Sequence, residues 1–105
     1  MLEKEIENKF KKRIKSVDPR VLCLKLVCPG FVGMPDRLVL LPGAHVIFVE
    51  LKQPGKKERR RQIYVQGLLR NLGFEVYSAV NTMAQIEAIA RRCEEVVNRE
   101  RVCSS

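Results

Sequence analysis

A chain of 105 residues with 46% hydrophobic and 30% charged residues has the composition of one globular domain, and we expect residues 1–105 to form a single unit. No apolar stretch approaches the roughly 20 residues of a membrane-spanning helix, and residues 1–15 are too charged for a signal peptide. We therefore expect a cytoplasmic protein with no membrane partner. The formal net charge of +8 favours a polyanionic partner, and nucleic acid is the better candidate because no segment combines a basic face with exposed Trp or Phe.

The first half of the chain has one helical and three β-type patterns. Apolar residues recur at helical spacing up to Val17, and Pro19 ends this pattern. A Gly-rich loop follows the first β-type run, and Pro42-Gly43 predicts a tight turn between the next two. The predicted elements are a helix over 2–17 and strands over 21–27, 38–41 and about 46–52.

The second half predicts a helix, a strand and a last helix. Pro54-Gly55 breaks the third strand, and Gly73 is well placed to cap a helix that ends near Leu72. A fourth strand is predicted over 74–80. Thr82 and Gln85 resemble a capping box at the start of the last helix. We expect a core over about 2–98 and a frayed tail over 99–105.

The predicted order is α-β-β-β-α-β-α, which indicates the α/β class. The second and third strands are apolar on both alternating faces, so each face of the sheet needs a cover. Helices are the available material, and we expect a small mixed β-sheet flanked by helices on both sides.

The cysteines and the histidine do not predict a metal centre. The four cysteines contain no CxxC pair, and the single His45 falls in a predicted turn. A structural zinc site needs grouped thiolate or imidazole ligands, so we interpret the cysteines as free thiols. They are Cys23, Cys28, Cys93 and Cys103.

Charged residues inside the apolar pattern indicate a site at the strand ends. Glu50 and Lys52 are two residues apart and share a face of the third strand. If residues 42–44 form the hairpin loop, Leu41 lies opposite His45 and Asp36 opposite Glu50. Two close carboxylates repel unless a cation lies between them or one is protonated, and Mg²⁺ suits such oxygen ligands. The alternative is a surface ion pair between Lys52 and Glu50.

Three parts of the sequence together resemble the virus-type replication-repair nuclease (VRR-Nuc) domain of the PD-(D/E)XK superfamily. They are Gly33-Met34-Pro35-Asp36-Arg37, Phe48-Val49-Glu50-Leu51-Lys52 and Gln62, and the match extends over about residues 3–80. The resemblance implies a restriction-endonuclease-like core that hydrolyses DNA phosphodiesters with Mg²⁺ or Mn²⁺ and needs no nucleotide cofactor. It also implies a stand-alone phage or bacterial type, similar to Holliday-junction resolvases, that acts on branched DNA as a homodimer.

Two further site residues follow from the resemblance, each with an alternative. The family carries an acidic residue on its first helix, and Glu3 falls inside the apolar stripe of the predicted helix whereas Glu7 lies at its edge. We therefore expect Glu3 to join Asp36 and Glu50 as a metal ligand, with Glu7 as the alternative. The buried side of the second predicted helix is defined by Val65, Leu68, Leu69 and Leu72. Gln62 lies near this side, and Gln66 is its alternative.

Basic residues near this site predict contacts with the DNA backbone. Five of the six residues over 56–61 are cationic and directly follow the third strand. Little aromatic interleaving is visible, so we expect recognition of backbone and shape rather than sequence. The candidates are Lys25, Arg37, Lys56, Lys57, Arg59, Arg60 and Arg61, and a second basic cluster lies over 9–15.

The leading hypothesis is a metal-dependent endonuclease that acts on branched DNA in replication, recombination or repair. The alternative is a DNA-binding module that keeps the nuclease fold but is non-catalytic or depends on a partner chain. Clustered acids facing phosphate have no use in pure binding, which favours the enzyme.

Overall fold

The computed structural model describes the backbone of residues 2–104 and the side chains of residues 2–101. Its elements follow the predicted order α-β-β-β-α-β-α, and the predicted α/β fold class is confirmed. They are α1 (Glu3–Lys15), β1 (Leu22–Lys25), β2 (Arg37–Leu41), β3 (His45–Leu51), α2 (Arg60–Asn71), β4 (Glu75–Val80) and α3 (Met83–Ser104).

The four strands form one mixed sheet in the order β1-β2-β3-β4. β1, β2 and β3 are antiparallel neighbours, whereas β3 and β4 are parallel and are joined by the crossover helix α2. In the β2–β3 hairpin Leu41 lies opposite His45 and Arg37 opposite Val49, so the register predicted from a three-residue loop is confirmed.

Helices cover both faces of the sheet. α1 and α3 pack on one face, where alternate residues of β2 and β3 such as Val39 and Ile47 join their apolar sides. α2 packs on the other face through Val65 and Leu69, which contact Phe48 of β3. Consecutive residues of β3 therefore enter two different cores, because strand side chains alternate in direction. Glu50 and Phe48 share the α2 face.

Two helices differ from the predictions. Leu68 and Leu72 were expected on the buried side of α2, but they are 37% and 74% exposed. α2 crosses over towards β4, so only the Val65 and Leu69 side of the helix faces the sheet. The tail expected to be frayed is helical as far as Ser104, and an ion pair between Arg101 and Asp18 holds the last turns of α3 to the α1–β1 connection.

The thiols of Cys23 and Cys93 lie in the core, and burial raises the pKa of Cys93 to about 12. Both, together with the half-buried Cys28, are free cysteines, whereas the side chain of Cys103 lies outside the described residues. Within residues 2–104, none of the helices is long and apolar enough to cross a membrane.

Candidate active site

Asp36 and Glu50 meet where β2 begins and β3 ends. The Asp36 N–H donates a hydrogen bond to Glu50 Oε2 (3.1 Å), and the Leu51 N–H donates one to Asp36 Oδ1 (2.9 Å). Each acid is therefore held by the backbone of the opposite strand, so their positions follow from the hairpin register. The predicted approach of Asp36 to Glu50 is confirmed.

Lys52 follows β3 and shares this corner. Its Nζ lies 3.7 Å from Glu50 Oε1, and its side chain is 16% exposed. The Lys52 N–H donates to Val80 O (3.0 Å), which fixes the backbone next to β4. Because the Glu50 side chain is only 6% exposed, this pair is not a surface ion pair. The ammonium is held in a largely water-excluded corner.

A β-bulge lies beside Glu50. Val49 is paired with Tyr77 and Leu51 with Val80, so three steps along β4 match two along β3. Ala79 takes up the extra residue with a φ of 52° in the left-handed region. Bulges are frequent next to active sites, where they re-aim a side chain. Nothing in the sequence signalled this one, because Ala79 is neither Gly nor Asn.

Burial and mutual repulsion oppose ionisation of both acids. Burial and, after it, the Asp36 carboxylate raise the pKa of Glu50 to about 7 against the opposing effect of Lys52. Burial also raises the pKa of Asp36, although the hydrogen bond from the Leu51 N–H lowers it. The Glu58 carboxylate also raises the pKa of Glu50. The sequence did not indicate this acid as a site residue, because it lies inside the basic run. At Glu50, the positive charge of Lys52 offsets only part of the effects of burial and of the neighbouring carboxylates.

Gln62 links α2 to this cluster. Its Nε2 donates to Glu50 Oε1 (3.1 Å), and its Oε1 accepts a hydrogen bond from the Arg59 N–H at the start of the helix (2.9 Å). Gln66 is buried but donates to Glu58 Oε2 instead (2.6 Å). The geometry therefore favours Gln62 over Gln66 as a site residue.

Two glutamates of α1 reach the same corner. One carboxylate oxygen each of Glu3, Glu7 and Asp36 lie within 4.8 Å of one another. Glu3 was expected to face the core, and this is wrong, because its side chain is exposed. Helical periodicity does not reveal that the first turn of α1 lies at the end of the sheet, where no strand covers it. Both glutamates, not one, lie beside Asp36.

Arg37 is buried rather than available to DNA. It is 4% exposed and pairs with Glu7 Oε2 through Nη2 (3.2 Å). Its Nε has no hydrogen-bond partner within the part of the chain that the structure describes. Arg37 points to the α1 face because it alternates with Asp36 at the start of β2. A DNA contact at Arg37, as expected from the sequence, is therefore wrong, and the residue holds Glu7 in place.

The donor set of this corner fits a hard divalent cation. Carboxylate oxygens are the ligands that Mg²⁺ and Mn²⁺ take up. Burial raises the pKa of Asp36 and Glu50, and the nearby charges of Arg37 and Lys52 offset only part of this effect. Asp36 touches both groups of acids, since it bonds to Glu50 through its N–H and lies beside Glu3 and Glu7 through its carboxylate. It is the centre of the site.

The basic residues predicted to contact DNA divide into two groups. Most are exposed side chains with free access from solvent: Lys25, Lys56, Lys57, Arg59 and Arg60. Arg61 differs, because its Nε donates to Val32 O (2.9 Å) and its guanidinium carbon lies 5.1 Å and 5.3 Å from the ring centroids of Phe31 and Tyr64. Two aromatic rings therefore lie beside the basic run, although little aromatic interleaving is visible in the sequence. Phe31 and Tyr64 are far apart in sequence, and only the fold brings them together.

Known proteins were compared with the chain on both structure and sequence. No family model matches it. A solved structure described as a VRR_NUC domain superposes with a TM-score of 0.74, is 27% identical, and is matched over 85% of this chain and 94% of that one. The resemblance to the VRR-Nuc family is confirmed.

A phage protein resembles part of the chain in sequence. "Putative nuclease p44" of Acyrthosiphon pisum secondary endosymbiont phage 1 is 46% identical over 55 residues, which is 52% of this chain. The match spans 59% of that relative's length. Together with the VRR-Nuc fold, this relative favours a nuclease over other uses of a small α/β domain.

Proposed function

We propose that the chain is a metal-dependent deoxyribonuclease whose active site is centred on Asp36. The observation that carries the proposal is the hydrogen-bonded corner in which Asp36 and Glu50 are each held by the opposite strand, with Lys52 Nζ 3.7 Å from Glu50. A binding module gains nothing from buried acids beside the path of a phosphate, because they repel it. Hydrolysis of a phosphodiester can use them.

The metal-binding residues in this proposal are Asp36, Glu50 and Glu3, with Glu7 beside them. Their oxygens would hold Mg²⁺ or Mn²⁺ at the ends of β2 and β3. A bound ion of this kind supplies Lewis-acid polarisation of a phosphoryl oxygen and lowers the pKa of coordinated water. Glu7 has a second task, because it also neutralises the buried Arg37.

Lys52 and Gln62 act on the reacting groups rather than on the metal. The Lys52 ammonium, held at the Glu50 carboxylate, can stabilise negative charge that develops on the phosphate in the transition state. Gln62 presents its amide N–H to Glu50 and keeps its orientation through the Arg59 N–H. From that position it can orient an attacking water or a phosphate oxygen.

The substrate proposal combines the exposed charges with the family resemblance. Lys25, Lys56, Lys57, Arg59 and Arg60 form an exposed cationic set that suits contacts to the phosphate backbone. Branched DNA, including a four-way junction, is the proposed substrate in replication, recombination or repair. A homodimer suits it, since two symmetric cuts need two active sites. The phage relative fits action in the cytoplasm of a bacterial or phage-infected cell.

One experiment separates the enzyme from a non-catalytic or partner-dependent DNA-binding module. Purified protein is incubated with Mg²⁺ or Mn²⁺ and with linear duplex, splayed-arm, flap and four-way junction DNA, alongside the variant Lys52→Met. We expect metal-dependent cleavage that favours branched DNA, and a variant that binds DNA normally but does not cleave. DNA binding without cleavage by the unaltered protein in either metal would support the module instead.

A further inference from the structure

Arg61 lies between two exposed aromatic rings at the start of α2. Its guanidinium carbon is 5.1 Å from the ring centroid of Phe31 and 5.3 Å from that of Tyr64, within the range of cation–π attraction. Phe31 is 44% and Tyr64 57% exposed. We call these three residues the aromatic–arginine cluster. Two exposed rings beside one cation form a surface that is both apolar and positively charged.

The cluster is held in place rather than loosely arranged. The Arg61 Nε donates to Val32 O (2.9 Å), which ties the loop that carries Phe31 to α2. Gly33 packs so closely that an added Cβ would meet Arg61 Cγ at 2.9 Å, and its φ of 104° suits glycine. Because loop and helix are fixed to each other, the two rings are presented together.

Two chain segments connect the cluster to the candidate active site. Arg61 precedes Gln62, whose side chain donates to Glu50 (3.1 Å). The loop that carries Phe31 runs directly into Asp36. Both segments that carry the cluster therefore lead directly to residues of the candidate active site. The surrounding charge, from the exposed Lys57 and Arg60, suits a nucleic acid rather than a neutral apolar partner.

We propose that the aromatic–arginine cluster stacks an unpaired nucleobase next to the scissile phosphate, and so selects DNA that has single-stranded or unpaired nucleotides at a branch. In a duplex each base face is covered by its neighbours, so only an unpaired or terminal base can offer its face to Tyr64 or Phe31. The guanidinium of Arg61 can stack on the same base or contact its phosphate. This inference rests on the proposed function, because it names the DNA feature that the same site would recognise.

The test measures binding without divalent metal, so that no cleavage occurs. The probe is a splayed-arm DNA with 2-aminopurine at the first unpaired position, compared with a blunt duplex that has 2-aminopurine at the same position. The variants are Phe31→Ala and Tyr64→Ala, with Tyr64→Phe to restore the ring. Leu72→Ala is the matched control, since Leu72 is 74% exposed and lies just beyond the other end of α2.

Stacking predicts quenched 2-aminopurine fluorescence in the splayed-arm complex and unchanged fluorescence in the duplex complex. Each alanine variant should lose roughly 5- to 100-fold in affinity for the splayed arm and little for the duplex. Tyr64→Phe and Leu72→Ala should bind like the unaltered protein. Splayed-arm affinity and quenching that are unchanged in both alanine variants would overturn the stacking proposal.

The failure of this inference can be told apart from failure of the proposed function. If the protein cleaves DNA with Mg²⁺ while the alanine variants bind the splayed arm normally, only the stacking proposal is overturned. If the unaltered protein binds neither DNA and cleaves no DNA with Mg²⁺ or Mn²⁺, both proposals are overturned. Circular dichroism of the variants confirms folding, which we expect to be retained because both rings are largely exposed.

Discussion

Asp36 and Glu50 are held in a geometry that their charges oppose. Their backbone partners fix them opposite each other, and burial raises the pKa of both carboxyl groups. The hairpin register therefore brings acids together at the expense of folding free energy. The divalent cation that we propose for this site would remove that penalty, so its binding should raise stability as well as support activity.

The substitution Asp36→Asn tests this conflict between charge and fold. An amide keeps an oxygen for the Leu51 N–H but cannot ionise, so the repulsion with Glu50 and the two α1 glutamates is removed. The pKa of Asp36 is raised in the folded protein, so ionisation of Asp36 lowers stability. This loss begins as the pH rises above the pKa of the unfolded state and is complete above the pKa of the folded state. Without metal at about pH 8, we expect the free energy of unfolding of the variant to equal that of the unaltered protein or to exceed it by up to about 1 kcal/mol.

Thermal unfolding with and without Mn²⁺ checks this expectation. Mn²⁺ should raise the Tm of the unaltered protein and leave that of Asp36→Asn unchanged. A variant that is less stable than the unaltered protein in the absence of metal would show that the Asp36 charge is satisfied within the fold, contrary to our account.

Asp18 gives the opposite pH dependence. Hydrogen bonds from the Arg20 side chain and then from the Arg20 N–H lower the pKa of Asp18 to about 2. A lowered folded-state pKa contributes stability that is fully present above the unfolded value of 3.8 and is lost as the pH falls through about 2. In Tm measurements across that window, the unaltered protein should lose more stability than Asp18→Asn. Parallel curves for the two proteins would contradict this assignment.

At the residue scale, the sequence predicted the acids whose positions follow from local register. Asp36 and Glu50 were placed opposite each other because a three-residue turn fixes the pairing of β2 with β3. The exposure of Glu3 and the burial of Arg37 were not predicted, because both depend on where α1 crosses the end of the sheet. That crossing depends on tertiary packing, which the apolar periodicity of a single helix does not predict.

At the element scale, α1 supplies two glutamates with different surroundings. Glu7 pairs with the buried Arg37, whereas Glu3 is exposed. Removing the charge of Glu7 leaves the buried Arg37 without its ionic partner, which lowers the free energy of unfolding. Removing the charge of Glu3 leaves no buried group without a partner. In the proposed site, Glu7 therefore has a structural and a metal-binding role, whereas Glu3 has a metal-binding role alone.

The matched variants Glu7→Gln and Glu3→Gln separate these roles. We expect Glu7→Gln to lower the free energy of unfolding by about 1–3 kcal/mol and Glu3→Gln to change it by less than about 0.5 kcal/mol. Both should weaken Mn²⁺ binding measured by titration calorimetry. Equal stability losses in the two variants, or full Mn²⁺ affinity in both, would count against the division of roles within α1.

α2 was predicted correctly in position but not in orientation. Gly73, with a φ of 97°, follows its end as expected, and Gln62 faces the site. Leu68 and Leu72 are exposed because the helix leans towards β4 rather than lying over the whole sheet. An apolar residue on a helix can face solvent or a partner as well as the core, so a wheel alone cannot choose between these positions.

At the scale of the whole molecule, the cationic side chains behind the net charge of +8 differ in whether they form ion pairs. Arg13 and Arg92 pair with glutamates, whereas Lys57 and Arg60 at the start of α2 are exposed near the site. Phosphate binding should therefore concentrate on the α2 side. The salt dependence of DNA binding measures it, because the slope of log K against log salt falls by about 0.9 for each phosphate that a cation no longer neutralises.

Two double variants that each remove two positive charges test this distribution. Lys57→Gln/Arg60→Gln should flatten the salt dependence of DNA binding by about 1–2. Arg91→Gln/Arg99→Gln removes two exposed cations of α3, on the opposite face of the sheet, and should leave the slope unchanged. Equal slopes in the two double variants would show that the net charge, rather than this surface, governs binding.

The global architecture was largely accessible from the sequence, whereas several site details were not. Apolar residues on both faces of β2 and β3 predicted helices on both sides of the sheet, and Pro and Gly residues marked the turns. The bulge at Ala79 and the approach of Phe31 to Tyr64 depend on long-range packing. No local sequence pattern predicts such features.

The most direct test of the central claim is the rate of DNA cleavage by Asp36→Asn. It is measured with Mg²⁺ beside the unaltered protein and Glu95→Gln, an equivalent acid-to-amide change at a 66% exposed residue of α3. We predict that Asp36→Asn cleaves at least about 100-fold more slowly and that Glu95→Gln cleaves normally. Cleavage by Asp36→Asn at the unaltered rate would contradict an active site centred on this carboxylate.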